Sequence, residues 1–375
     1  MSGHKRRASG ASAIRKGLAM DSRQKKTIGI VGAVAALSAA GFGAAVGIQK
    51  FAVGRSRFHP DPDADEPFGK LRGEPLTVLA DDGLPLQVEI HGSADAPLTM
   101  VLCHGYCLTQ DSWHYQRRDL TGLRMVSWDQ RSHGRSGRST RPHATIEQTG
   151  RDLATVLRAT VRPGDPVILA GHSMGGMTIM ALADQQPELF GTQIVGVALV
   201  NTSSGDLDEM TLGLPPVLAR LVRPLASSVI RGLGRGAKIV DRTRDATPDV
   251  AFWVIRRMGF SDRHVSPAMV DFVEQMIRAT PIEVVAEFYP TLMEHHRGES
   301  LEVLGRVPTV ILSGGHDRLT PAAHSRVLAE ALPDAELVEV ADAGHLLPME
   351  YPGIVTAAIR RLIARVHADR RERSA

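Results

Sequence analysis

From Pro75 onward, short uninterrupted apolar runs alternate with longer stretches whose apolar residues recur every three or four positions. Val167, Ile168, Leu169 and Ala170 form such a run, too short for a helix and closed by Gly171, which reads as a strand buried on both faces. The following stretch, Met174 to Gln185, repeats Met177, Met180 and Ala181 at helical spacing. "LTVLADDGLPLQVEIHG" predicts two strands joined at Asp81-Asp82-Gly83, a hairpin turn. "PLTMVLCHG" predicts a buried strand ending in glycine, and "GLRMVSWDQ" another, preceded by a helix near Asp111 to Leu120. A helix near Thr145–Val161 leads into the 167–170 strand. Further strands are predicted at 194–201, 308–314 and 335–340. Strands alternating with helices imply an α/β protein with a mostly parallel sheet and helices on both faces. No internal repeat is present.

Between the 167–170 strand and its helix lies "GHSMGG", of the form G-x-S-x-G, with Ser173 between Gly171 and Gly175. A tight strand-to-helix turn of this kind lifts a serine hydroxyl above the sheet. A serine hydroxyl is a poor nucleophile until a base takes its proton, and that base needs a third group to orient it. Both partners should follow in chain order, each just after a strand. Asp317 follows the strand "VPTVILSG", and His345 follows "AELVEV". The competing carboxylates fit less well: Asp334 precedes the last strand, and Asp342 is only three residues from His345. The strand "TMVLC" ends in His104-Gly105-Tyr106, a turn in which the N–H of Tyr106 can meet a developing oxyanion. The N–H of Met174, directly after the serine, would be the second donor. His104, Gly105, Gly171 and Gly175 are expected to support these turns.

Composition changes the picture mainly at the ends of the chain. The 375 residues carry a net charge of only +3, which gives no reason to expect nucleic acid. Residues 1–26 hold eight Lys or Arg against one acid, Asp21, and form a basic N-terminal arm. Residues 27–48 carry no charge and are about long enough to cross a bilayer as a helix. The basic arm would stay inside, since only Lys50, Arg55 and Arg57 follow before the acidic "DPDADE". A membrane protein with a single N-terminal span and an extracytoplasmic catalytic domain is therefore expected. A cleaved signal peptide, an unusual soluble helix and an inverted span are the other readings. Residues 49–74 read as a polar, Pro-rich linker and 367–375 as a basic solvated tail. Cys103 and Cys107 cannot build a disulfide framework, and are read as one buried and one loop thiol.

These motifs resemble the α/β-hydrolase fold superfamily, over about Pro75 to Val366. "HGY" at 104–106 looks like the family's oxyanion loop, "GHSMGG" like its nucleophile elbow, and "GGHD…GH" like its acid and base loops. "DQRSHGRS" at 129–136 is similar to a structural turn of the family, with Ser132 where glycine is usual. The resemblance implies an eight-stranded type of sheet, with core segments 75–202 and 307–366 and a helical cap at 203–306, inserted after the sixth strand. Helices are expected at "PPVLARLVRPLASSVI", "AFWVIRRMGF" and "SPAMVDFVEQMIRAT", and Phe252, Trp253, Met258 and Phe260 are pocket candidates. The GHSMGG form is similar to esterases, monoacylglycerol lipases and lysophospholipases. It implies a serine esterase or lipase that hydrolyses lipophilic esters without metal or organic cofactor. A carbon–carbon bond hydrolase, a cofactor-free peroxidase and a tethered binding module are the alternatives.

If residues 27–48 anchor the chain, the full-length protein sediments with membranes and resists high-salt extraction, whereas a chain starting near Arg55 stays in the supernatant. Full-length protein in the soluble fraction with its N-terminus intact would refute the anchor.

Overall fold

The computed structural model describes residues 61–207, 255–261 and 265–374. In chain order the elements are β1 (Glu74–Leu79), β2 (Pro85–His91), β3 (Thr99–Cys103), α1 (His114–Asp119), β4 (Arg124–Trp128) and α2 (Ile146–Thr160). Next come β5 (Val167–His172), α3 (Met174–Gln185), β6 (Ile194–Val200), α4 (Pro267–Ala279), α5 (Ile282–Met293) and α6 (Ser300–Leu304). The last are β7 (Thr309–Gly314), α7 (Ala322–Ala331), β8 (Glu336–Val340), α8 (Leu347–Glu350) and α9 (Pro352–Ser374). The strands form one eight-stranded sheet in the order β1-β2-β4-β3-β5-β6-β7-β8. β2 runs antiparallel to both its neighbours, and every pair from β4 to β8 is parallel.

The apolar runs follow from this layering. Successive side chains of a strand point to opposite faces, and here each face has its own core. Val101, Cys103, Val167 and Leu169 join α2 and α3 on one side, through Leu153 and Ile179. Met100, Leu102, Ile168 and Ala170 meet α9 on the other, through Val355, Ile359 and Leu362. The hairpin turn lies where Asp81-Asp82-Gly83 predicts it, with Gly83 at φ +78°. Serine caps α4: Ser266 Oγ accepts from Met269 N–H, and Pro267 takes the first turn. α4 and α5 lie in the interval between β6 and β7. α5 lacks a clean sequence signal because Pro290, which reads as a helix end, sits inside it.

Two terminal expectations are corrected. Residues 61–73 of the expected linker are packed between α1 and α4. Asp61 Oδ2 accepts from Ala268 N–H at 2.9 Å, and Phe68 stacks on Phe272 with ring centroids 4.9 Å apart. Tyr115 donates to Asp63 at 3.0 Å, and His114 Nε2 lies 2.8 Å from Glu66. Part of the polar composition of this stretch serves ion pairs and helix caps. The basic tail is also structured, for α9 runs through to Ser374. Arginines near a helix C-terminus complement its dipole and favour such an extension. Both cysteines are buried thiols, including Cys107 in the turn after β3. Residues 27–48, the stretch at 215–230, Phe252 and Trp253 lie outside the described residues. Among the described residues no helix is long and apolar enough to cross a membrane.

A buried ion cluster ties the antiparallel edge to α1. Glu89 on β2 is 1% exposed and accepts from Arg117 at 2.7 Å, with Arg135 also at 2.7 Å. Burial pushes the Glu89 carboxyl up, but His91, Arg135 and Arg117 outweigh it and hold the group down to about 2. A depressed carboxylate contributes stability that is fully present above its ordinary value of 4.5 and lost as pH falls towards 2. Glu89→Gln should therefore unfold at lower urea than the wild type at pH 7, and the gap should narrow on acidification through pH 4 to 3. Equal midpoints at pH 7 would contradict the assignment.

Candidate active site

The turn from β5 into α3 holds Ser173 at φ 52°, ψ −117°, a strained conformation for a residue with a side chain. Hydrogen bonds on both sides fix it. Ser173 N–H donates to Val200 O at 2.9 Å, and Ser173 O accepts from Thr202 Oγ1 at 2.8 Å. The glycines around it are required by contact. A Cβ on Gly175 would lie 2.2 Å from Cys103 O, and one on Gly171 would lie 2.6 Å from Gly175 O. Helix α3 can therefore start against β3 and β5 only where side chains are absent.

Asp317 and His345, on the loops after β7 and β8, meet. His345 Nδ1 donates to Asp317 Oδ2 at 2.8 Å. The other carboxylate lone pairs are taken by the N–H groups of Leu319 and Thr320 at 2.7 and 2.9 Å and by Thr320 Oγ1 at 2.7 Å. Burial pushes the Asp317 carboxyl up, yet the His345 charge and these donors outweigh it, and the net direction is down. Asp317 therefore stays ionised beside the imidazole. The rival carboxylates Asp334 and Asp342 are both exposed.

Ser173 and His345 line one cavity of about 370 Å³, together with Gly105, Tyr106 and His172. Its walls are otherwise mostly apolar, with Thr320 and Tyr289 among them. Met177 comes from α3, and Leu207, Ile255, Met258, Ile277, Leu292 and Met293 from the segment between β6 and β7. Met258 thus lines the cavity as expected, whereas Phe260 is buried but does not line it. Phenolic oxygen comes from Tyr289, whose hydroxyl burial makes harder to ionise.

The turn at 104–106 is built by a chain of buried donors. Gln130 N–H donates to His104 Nε2 at 2.8 Å, which leaves the ring proton on Nδ1. That proton is donated to Gly105 O at 2.8 Å. Gly105 O and the N–H of Tyr106 belong to one peptide plane and point oppositely, so holding the carbonyl orients the N–H. Among the described residues the N–H groups of Tyr106 and Met174 have no acceptor. Gly105 is also sterically required, since a Cβ would lie 2.8 Å from His172 Nδ1. Burial holds His104 down to about 4 and His172 down to about 3, so both rings are neutral at physiological pH.

Two residues that the sequence motifs do not single out hold the histidine loop. Asn201, at the end of β6, donates through Nδ2 to Gly344 O at 2.9 Å and His345 O at 2.8 Å. Its Oδ1 accepts from Gly314 N–H at 2.8 Å, so one amide joins the loops after β7 and β8. His172 Nε2 adds a contact of 2.8 Å to His345 O. The available signal was an asparagine closing a wholly apolar strand, where its αL tolerance suits φ 44°. Ser132, the departure from the family turn, sits at φ 67°, and its Oγ accepts from Ser139 N–H at 2.8 Å. That hydrogen bond offsets the backbone cost of replacing glycine. Among the described residues no cluster of three His, Cys, Asp or Glu is arranged to hold a metal ion.

Comparison with known proteins gives the family. The model of the Alpha/beta hydrolase family matches residues 100–359, and the chain belongs to that family. It is 25% identical over 275 residues to a monoacylglycerol lipase of Mycolicibacterium smegmatis, covering 68% of this chain and 79% of that protein. A rhodomycin D methylesterase from Streptomyces is 26% identical over 309 residues, which cover 76% of this chain and 97% of the relative. Among solved structures, a thermophilic esterase from Thermogutta terrifontis superposes with a TM-score of 0.60 at 26% identity. That superposition covers 78% of this chain and 99% of the esterase.

Asn201→Ala would remove the Asn201 partner from Gly344 O and Gly314 N–H and leave His345 O with His172 alone. A loss of roughly 2–3 kcal/mol is expected, measured as a melting temperature lower by several degrees. An unchanged melting temperature would mean that the amide does not carry the link between the two loops.

Proposed function

We propose that the protein is a serine hydrolase of carboxylic esters. Ser173 attacks the ester carbonyl while His345 takes its proton. Asp317 orients His345 and stabilises the imidazolium. The N–H groups of Tyr106 and Met174 receive the oxyanion. His345 then protonates the leaving alcohol, and in the second half-reaction activates the water that releases the acid. The observation that carries this reading is that His345, hydrogen-bonded to Asp317, lines one largely apolar cavity with the strained Ser173. Relatives named as lipases and esterases support the reaction class.

We further infer that the substrates are lipophilic, of the monoacylglycerol or lysophospholipid kind. The support is chemical: an acyl chain can leave water for the leucine, isoleucine and methionine walls. Tethering through residues 27–48, with the catalytic unit outside, would bring the site to such lipids. It rests on the charge pattern of the N-terminal sequence.

A fluorophosphonate probe should label the wild type at one residue, Ser173, and a panel of esters of graded chain length should give the highest kcat/KM beyond acetate. Ser173→Ala should lose labelling and hydrolysis while keeping its circular dichroism spectrum. More than a few per cent residual activity in clean protein would sink the nucleophile. Asp317→Asn should lower kcat by about 10⁴. An equal loss in Asp342→Asn, with a mild effect in Asp317→Asn, would reassign the acid.

A further inference from the structure

The loop that carries His345 is gripped from two sides. On the sheet side, Asn201 and His172 hold the carbonyls of Gly344 and His345. On the opposite side stands Glu350, five residues beyond the histidine, at the end of the single turn α8. Its two carboxylate oxygens go to different chain segments. Oε2 accepts from Gly344 N–H at 2.6 Å, and Oε1 accepts from Ser261 N–H at 2.8 Å. Ser261 belongs to the segment 255–261, whose Ile255, Met258 and Gly259 line the cavity.

Other contacts stitch the same two pieces together. Leu346 N–H donates to Gly259 O at 2.9 Å. Ser261 Oγ lies 2.8 Å from Nδ1 of His316, the residue before Asp317. The Arg318 guanidinium donates to Arg257 O. The backbones are in such close contact that a Cβ on Gly344 would lie 2.7 Å from Ser261 N and 2.8 Å from Gly259 O. The Glu350 side chain reaches both backbones at once, and a carboxylate is the natural acceptor for two convergent N–H donors.

We propose that Glu350 is a positioning residue for the hydrolysis: its carboxylate clamps the cavity-lining segment 257–261 to the Ala343–Gly344 peptide, next to His345, and so sets the imidazole relative to Ser173. This rests on the reading of Ser173, Asp317 and His345 given above. Glu350 touches no reacting atom. Without the clamp, the Gly344 N–H and the Ser261 N–H lose their common acceptor, and Leu346 N–H to Gly259 O is left as the direct backbone bond between the two pieces. The chemical step then suffers while the apolar walls that bind the acyl chain remain.

The test compares wild type, Glu350→Gln and Gly344→Ala on p-nitrophenyl esters, with active sites counted by exhaustive fluorophosphonate labelling. Glu350→Gln turns one acceptor into a donor facing an N–H, and Gly344→Ala drives a methyl group into the same junction from the backbone. For each variant, kcat per labelled site is expected to fall about tenfold to a hundredfold, the scale of a small misplacement of a catalytic group. KM should stay within about twofold of the wild type. A purely structural role would lower the labelled fraction and leave kcat per labelled site unchanged, and that result would overturn the proposal. So would a change confined to KM, or full activity in Glu350→Gln. If Glu350→Gln does not fold, Gly344→Ala decides on the same readout. Failure of the wild type itself to label or to hydrolyse esters would instead remove the underlying functional reading.

Discussion

The closeness of helix α3 to the strands beneath it is the constraint on which the rest of the site depends. Gly175 sits against the Cys103 carbonyl, and Gly171 against Gly175, at separations that no side chain could occupy. That contact forces the sharp reversal at Ser173 and the positive φ it carries. It also sets the first free N–H of α3, that of Met174, beside the serine. The strain is local and is held by ordinary bonds: the backbone donor to Val200 and the Thr202 hydroxyl on the Ser173 carbonyl. Both partners lie on β6 or just beyond it, so the parallel pairing of β5 with β6 is part of the turn.

Around that turn, buried polar groups act as fixed struts rather than as titrating ones. His104 and His172 are kept neutral by burial, which lets each serve as a donor on one nitrogen with a definite orientation. Asp317 is the exception. It remains ionised in a buried position because its oxygens are surrounded by the imidazole, two backbone N–H groups and a hydroxyl. A buried charge is tolerable only when its lone pairs are so occupied. The outcome is one anionic carboxylate behind one imidazole at the edge of an apolar cavity, where an ion interacts more strongly than it would in water.

The cavity belongs to two layers of the molecule. The sheet-end loops carry the polar groups, and the segment between β6 and β7 brings most of the apolar wall. Those layers are joined by specific bonds: Glu350 to Ser261, Leu346 to Gly259, and the Tyr106 hydroxyl to the Val285 carbonyl on α5. On the outer side, residues 61–73 bridge α1 and α4 through Asp61, Phe68 and Asp63. The apolar roof is thereby fastened to the polar floor at several separate points.

Much of this was legible along the chain, for definable reasons. Doubly buried strands must be apolar at every position, so β3, β5, β6 and β7 stand out as continuous runs. The turns at Ser173 and Tyr106 stand out because steric contact admits only glycine beside them. Asp317 and His345 were legible as residues just after strands, since parallel strands carry their sites at their carboxyl ends. Groups that act across the fold were not legible. Asn201, Glu350 and Asp61 each act on segments remote in the sequence, with partners as far as 144, 89 and 207 residues away along the chain. A polar strap such as 61–73 has the composition of a linker, because ion pairs and helix caps use the same residues as solvated chain. The wall of the cavity was likewise hidden, since an apolar helix position looks the same whether it faces a core or a pocket. Local sterics and hydrophobic periodicity are written in neighbouring residues. Which buried donor meets which acceptor, and which apolar face is left to line a cavity, is decided only when distant segments are brought together.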